Sequence, residues 1–261
     1  MMLMKRLALI LGWLTVSVVG QCSGEEPLRL RVLSYNIHHG EGVDGKLDLA
    51  RIAKVIRSVQ PDIVALQEVD VNVSRSATVD QAAELGKLTE MKSVFGGNID
   101  LQGGRYGNAL LTRFEIVNQQ NEALPNVANG EQRGVLKVVL QLSNRSQHLT
   151  VYATHLDHRR DERERVLSAE RINGLVEEAA LGLLLGDLND VAGSKTLDIL
   201  DEKWTRTNSE ILATIPVEQP KRQIDFIAVR PGGYWRILET KVLDEAVASD
   251  HRPIMAVVEL K

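Results

Sequence analysis

The sequence reads as an α/β protein in which mixed β-sheets pack face to face and helices lie outside them. Short apolar runs recur along the chain, and three are apolar almost throughout, as strands covered on both faces are. Most of these runs follow one another directly, with helical patterns interspersed irregularly, which argues against a strictly alternating parallel fold. After Leu28 no repeat, low-complexity stretch or long Pro/Gly/Ser-rich linker interrupts the chain. One domain over residues 28–261 is therefore expected.

Taken in order, the chain opens with Lys5 and Arg6, the apolar run Leu7 to Val19, and then Gly20, Gln21, Cys22, Ser23 and Gly24. A short basic stretch, about a dozen apolar residues and small residues after them describe a secretory signal peptide, assigned to residues 1–22. The run falls short of the roughly 20 apolar residues a spanning helix needs. A secreted or periplasmic protein is expected. Cys22 resembles a lipoprotein anchor site, although Gln21 stands where such signals normally carry a smaller residue.

The predicted strands are Leu30–Asn36, Ile63–Gln67, Asn108–Thr112, Gly134–Leu142, Leu149–Thr154, Leu181–Gly186, Ile224–Val229 and Pro253–Glu259. The predicted helices are Leu49–Val59, Thr78–Leu88 and Asp161–Ala180. Asp48 is placed to cap the first helix, and Pro61 follows its end. The third helix is charged at Arg163, Glu164 and Arg171 and apolar at Val166, Leu167, Ile172, Leu175 and Val176. That is the pattern of a helix lying on a sheet.

Composition sets bounds. The chain has 261 residues, 44% hydrophobic and 25% charged, which excludes a disordered chain. Its 31 basic and 35 acidic residues give a net charge of −4, so a long-range basic field for nucleic acid is not expected. Loss of Lys5 and Arg6 with the signal would leave 29 basic against 35 acidic residues, a balance of −6. Aromatic content of 4% argues against stacking platforms for single strands. One cysteine excludes both a disulfide framework and a cysteine-ligated zinc site.

Polar residues sit at the ends of the apolar runs. Asn36 ends the first, Glu68 follows Gln67, His155 follows Thr154, Asp187 follows Gly186 with Asn189 two residues on, and Asp250 and His251 precede the last. Singly, each reads as a cap, a turn former or a structural histidine. Together they point to a site gathered at one end of a sheet, and to a metal-dependent hydrolase.

These residues resemble the endonuclease/exonuclease/phosphatase superfamily of DNase I-like nucleases, exonuclease III-type enzymes, bacterial sphingomyelinases and inositol polyphosphate 5-phosphatases. The resemblance runs from Leu30 to Leu260. It rests on Ser34-Tyr35-Asn36-Ile37, Leu66-Gln67-Glu68-Val69, Tyr106-Gly107-Asn108-Ala109, Thr154-His155-Leu156, Gly186-Asp187-Leu188-Asn189, Ile224-Asp225-Phe226-Ile227 and Ser249-Asp250-His251-Arg252-Pro253. Each tetrapeptide is weak alone; seven in order are specific.

The resemblance implies a four-layer α/β/β/α sandwich and a hydrolytic phosphoryl-transfer site. In it Glu68, Asn36 and Asp250 match the metal environment, with Mg²⁺ (or Mn²⁺) as the cofactor such oxygen ligands suit. Asp187 matches the residue that orients or deprotonates water, and Asn189 one that holds a phosphate oxygen. His251 matches the histidine at the scissile phosphate, oriented by the match to Asp225, and His155 a second phosphate-facing position. Arg133 falls, more loosely, where nuclease relatives carry a phosphate-reaching arginine, and Asn108 joins it as a substrate-binding candidate.

The expected activity is hydrolysis of a phosphodiester by metal-assisted water attack. Candidate substrates are nucleic acid, a phospholipid head group or an inositol phosphate; the alternatives are a phosphomonoesterase, a DNase-like nuclease or a non-catalytic binding module. No obligate protein partner is evident, and a monomer is expected. His38, His39 and Glu41 read as solvated loop residues in preference to a second metal site or a substrate contact. For His158, Arg159 and Arg160 a contact to a second phosphate and an exposed loop both stand open. Gly103, Gly104 and Gly107 read as a turn between strands and not as a phosphate cradle, because no helix follows them.

Overall fold

The structure, a computed structural model, describes residues 27–143 and 145–261. The expected signal segment 1–22, with Cys22, lies outside the described residues. Two six-stranded mixed sheets form the centre. In the first, β1 (Leu28–Asn36) lies parallel to β2 (Ile63–Val71), with β3 (Lys92–Leu101) and β4 (Gly104–Thr112) beyond them. In the second, β7 (His148–His155) lies parallel to β8 (Leu181–Asp187), flanked by β5 (Glu115–Ala123) and β6 (Gly134–Gln141) on one side. The short β9 (Thr205–Arg206) and β10 (Asp225–Arg230) flank it on the other. The chain then returns to the first sheet as β11 (Trp235–Val242) and β12 (Ile254–Leu260), giving the orders β11-β12-β1-β2-β4-β3 and β5-β6-β7-β8-β10-β9.

The period-2 alternation of the strands distributes their side chains. Leu30, Val32, Ile63, Ala65, Ala256 and Val258 of the first sheet face Val138, Val151, Leu183, Leu185, Ile227 and Val229 of the second in one buried layer. On the opposite face of the first sheet, Leu33, Tyr35 and Val64 meet α1 (Leu49–Ser58) and α2 (Gln81–Thr89) through Ile52, Ile56 and Leu85. On that of the second, Tyr152, Leu184 and Phe226 meet α3 (Arg163–Gly174) and α4 (Lys195–Asp201) through Ala169, Ile172, Leu197 and Leu200. The four-layer α/β/β/α sandwich expected from the sequence is thus observed. Each fully buried Leu or Ile contributes about 1.5–3 kcal/mol.

Asp48 caps α1 as expected, its carboxylate accepting from the Arg51 N–H at 2.9 Å. Gln102 (φ 46°) and Gly103 (φ 86°) form the two-residue turn of the β3–β4 hairpin, whereas Gly104 opens β4 and Gly107 lies within it. Other expectations need correction. α3 stops at Gly174 and not at Ala180, and Leu175 and Val176, expected on its apolar face, pack against the outer core from the turn that follows. Four strands, β3, β5, β11 and the two-residue β9, lie outside the expected ones. β5 and β11 are largely exposed next to a single partner strand, so neither presents the apolar run or the alternation that marks a strand.

Candidate active site

The topology brings the chemistry-bearing residues to one end of both sheets. Asn36 closes β1, Glu68 lies near the end of β2, and His155 and Asp187 close the parallel pair β7 and β8. Within the second sheet Asp187 stands opposite His155 on one side and opposite Asp225, the first residue of β10, on the other. Neighbouring strands lie ~4.8 Å apart, so two carboxylates and an imidazole are neighbours by register alone. At Gly186 a Cβ would meet the Thr154 carbonyl at 2.1 Å, so glycine lets β8 lie against β7 just before Asp187. His251 reaches Asp225 from the segment leading into β12 of the other sheet.

A bulge aims Glu68. Leu66 pairs with Ala109 and Val69 with Gly107, so Gln67 and Glu68 together oppose Asn108, and Glu68 takes φ 60°. A bulge of this kind redirects a side chain at a functional edge. Here it leaves the Glu68 carboxylate in a cleft of about 260 Å³ with Tyr106, Glu131, Arg133, His155, His158, Asp187, Asn189 and His251.

Asn36 joins the sheets: its Nδ2 donates to Glu68 Oε1 at 3.0 Å and to Asp187 Oδ2 at 3.1 Å. Its Oδ1 accepts from the His38 N–H at 3.1 Å. The other oxygen of Asp187 accepts from the Asn189 N–H at 2.9 Å, and the Asn189 side chain donates to the Leu156 carbonyl at 3.0 Å. His251 Nδ1 lies 2.9 Å from Asp225 Oδ2, and its Nε2 lies 3.7 Å from Asp187 Oδ2. Ser249 fixes this segment by donating from Oγ to the Asn36 carbonyl at 2.7 Å.

These contacts fix protonation. Burial raises the Asp187 pKa to about 7, with the facing Asp225 charge adding to it, against the opposing pull of His251. Burial works against the His251 cation, but Asp225 and then Asp187 outweigh it, and the pKa rises to about 10. His155 is driven well below its ordinary value, first by burial and then by the Arg133 charge, so it is neutral. A guanidinium only donates, so His155 Nδ1 accepts from Arg133 Nη1 at 3.1 Å. The ring proton then sits on Nε2, 3.5 Å from Asp187 Oδ2.

The structure therefore gathers Asn36, Glu68, His155, Asp187, Asn189, Asp225 and His251 around one point, with Arg133 at its side. Two other candidates stand apart from the cleft lining. Asp250 is exposed, with its Oδ1 3.3 Å from Ser249 Oγ. Asn108 is buried behind the cleft, donating to the Gly134 carbonyl at 3.0 Å.

Arg133 Nη2 lies 3.3 Å from His158 Nδ1, which brings His158 into the cleft, whereas Arg159 turns away to Asp157 at 2.9 Å. His39 is a correction: it is 9% exposed and not solvated, because Gln81 Nε2 donates to its carbonyl at 2.6 Å and pins the turn down. Sequence reasoning missed Tyr106 and Glu131 in the cleft. Tyr106 lies in a motif already singled out, and Glu131 gives no signal beyond lying two residues before Arg133.

Any divalent cation here meets oxygen donors: Glu68 in the cleft, Asp187 beside it and a buried Asp225 Oδ1 without a hydrogen-bond partner. Ligand atoms of Asp187, Asp225 and His251 lie within 4.8 Å of one another. The carboxylate oxygens of this set fit a hard cation, whereas His251, held as a cation by Asp225, offers it no lone pair.

Residues 33–251 match the Endonuclease/Exonuclease/phosphatase family. The chain is 28% identical over 247 residues to the uncharacterized protein YbhP of Escherichia coli (strain K12), which covers 88% of this chain and 96% of YbhP. Among solved structures, an endonuclease/exonuclease/phosphatase from Beutenbergia cavernae DSM 12333 matches with a TM-score of 0.74 at 24% identity, over 89% of this chain and 72% of that one. The mannosyl-6-phosphatase Bt3783 of Bacteroides thetaiotaomicron VPI-5482 matches with a TM-score of 0.70 at 18% identity, over 88% of this chain and 99% of that one. At these identities the two structures demonstrate a shared fold.

Proposed function

This chain belongs to the endonuclease/exonuclease/phosphatase family of metal-dependent phosphoesterases and nucleases, and we propose that it is an exported, Mg²⁺-dependent phosphodiesterase. The observation that carries the reading is the pairing of a cationic His251, 2.9 Å from Asp225, with a buried Asp187 whose pKa lies near 7. One group presents a proton to a phosphate and the other can take one from water. Export rests on the N-terminal segment of the sequence.

Glu68 and Asn36, with the Asp187 carboxylate beside them, would hold the cation, whereas Asp250, expected with them from the sequence, stands apart from the cleft. When bound, Mg²⁺ (or Mn²⁺) polarises a phosphoryl oxygen and steadies the leaving oxygen. Asp187 orients the attacking water and accepts its proton, its position set by Asn36 and the Asn189 N–H. Asp225 holds Nδ1–H of His251, so that Nε2–H faces the phosphate and neutralises charge on an equatorial oxygen. Neutral His155 donates from Nε2 into the same space. Asn189 and Arg133 contact the phosphate from the side. Water attacks directly, and no covalent intermediate forms.

A phosphomonoesterase is the second reading. Arg133 with His155 and His158 is a cluster suited to a doubly charged terminal phosphate, and the structural relative Bt3783 is a mannosyl-6-phosphatase. The two readings separate in the ratio of kcat/KM on bis-p-nitrophenyl phosphate and on p-nitrophenyl phosphate. A higher value on the diester supports the proposal, and a higher value on the monoester replaces it. In the same assay Arg133→Ala should raise KM about 10-fold or more with a smaller change in kcat, the loss expected for a hydrogen bond to a charged group.

A further inference from the structure

We propose that His38, His39 and Glu68 form a binding site for a borderline transition-metal ion of the Zn²⁺ class, sharing only the Glu68 carboxylate with the oxygen donors that serve a hard cation. One ring nitrogen of each histidine and one carboxylate oxygen of Glu68 lie within 4.8 Å of one another. Zn–N and Zn–O bonds of ~2.1 Å ask each donor to move by under ~1 Å, which side-chain torsions supply. Two imidazoles and one carboxylate match the three protein ligands of an open zinc site, with a fourth position left for water or substrate. Mg²⁺ takes oxygen donors and does not favour this pair of nitrogens.

In each ring one nitrogen faces a hydrogen-bond acceptor and the other is left open. His38 Nδ1 lies 3.1 Å from the Glu41 carbonyl, which only accepts, so Nδ1 donates there and Nε2 is the ring nitrogen left to face an ion. His39 Nε2 lies 3.5 Å from Glu41 Oε2, while its Nδ1 is buried without a hydrogen-bond partner. A buried acceptor left unpaired costs free energy that a bound cation would recover. The rings meet edge to face with centroids 4.5 Å apart.

The backbone is bent to place these groups. His38 (φ 44°), His39 (φ 44°) and Glu68 (φ 60°) all occupy the left-handed region that non-glycine residues avoid. Gly40 (φ 80°) completes the turn, whose N–H bonds to the Ile37 carbonyl at 2.8 Å. Conformations of this kind persist where the surrounding structure enforces them and gather at ligand sites. Because Glu68 also lines the cleft, an ion held here sits at its edge and competes for the carboxylate that Asn36 orients at 3.0 Å.

The site is tested by binding alone, so its failure is separate from any failure of the phosphodiesterase reading. Protein freed of metal by chelation and dialysis is titrated with Co²⁺, and the visible d–d absorption is followed. The expected result is one equivalent bound with tetrahedral-type intensity. His38→Gln and His39→Asn should each weaken it at least ~10-fold, because even changes to outer-shell partners cost 10- to 100-fold. His158→Gln should bind as the parent does. Should His39→Asn fail to fold, the half-buried His38→Gln carries the comparison, with near-ultraviolet circular dichroism as the check on folding. Unchanged binding in His38→Gln, absence of the band, or its loss in His158→Gln would each overturn the proposal.

Discussion

Asp187→Asn should lower kcat on a phosphodiester about 10²–10⁴-fold, the range for losing a positioned general base, with KM changed much less. The expectation follows from where the carboxylate sits. Asp187 is 1% exposed, faces Asp225 across the β8–β10 ladder, and holds its proton up to about 7 because of that burial and that neighbour. An ordinary carboxylate near 3.8 would be too weak a base for water; this one is matched to neutral pH. Asparagine keeps the shape and removes the basicity. A kcat within threefold of the parent would show that the proton goes elsewhere.

Asp225→Asn should move the alkaline limb of the kcat/KM profile down by roughly two pH units. In the parent, burial disfavours the His251 cation, and the charges of Asp225 and Asp187 overcome it, giving a pKa of about 10. Without the nearer charge, burial regains its weight and the imidazolium loses its proton earlier. Stability should follow the same linkage. A histidine whose folded pKa exceeds its unfolded value of 6.5 contributes stability that is complete below 6.5 and is lost as pH rises through about 10. The stability gap between parent and variant, read from denaturant melts in EDTA, should therefore be widest below pH 6.5 and close toward pH 10. A gap that widens with pH would contradict the pairing.

Much of this site is legible from placement. Asn36, His155 and Asp187 end apolar runs because strand ends are where polar groups can escape a two-sided core, and the structure gathers those same residues. The facing of Asp187 and Asp225 is not legible, since it depends on which strands pair and in what register, a tertiary fact. Nor is the extra residue in β2 that turns Glu68 outward. Nor is the burial of His39, which comes from Gln81, 42 positions away. The edge strand β5 is illegible for a different reason: its exposed Asn118, Gln119, Gln120 and Asn121 pack into no core and so carry no strand pattern.

The proposed hydrolysis requires a divalent cation beside Asp187. Its most direct test is hydrolysis of bis-p-nitrophenyl phosphate by EDTA-treated protein, before and after Mg²⁺ is added, with Asp187→Asn in parallel. The predicted result is silence in EDTA, restoration of the parent by Mg²⁺, and no comparable restoration of the variant. Diester turnover that persists undiminished in EDTA, or that Asp187→Asn leaves intact, would contradict it.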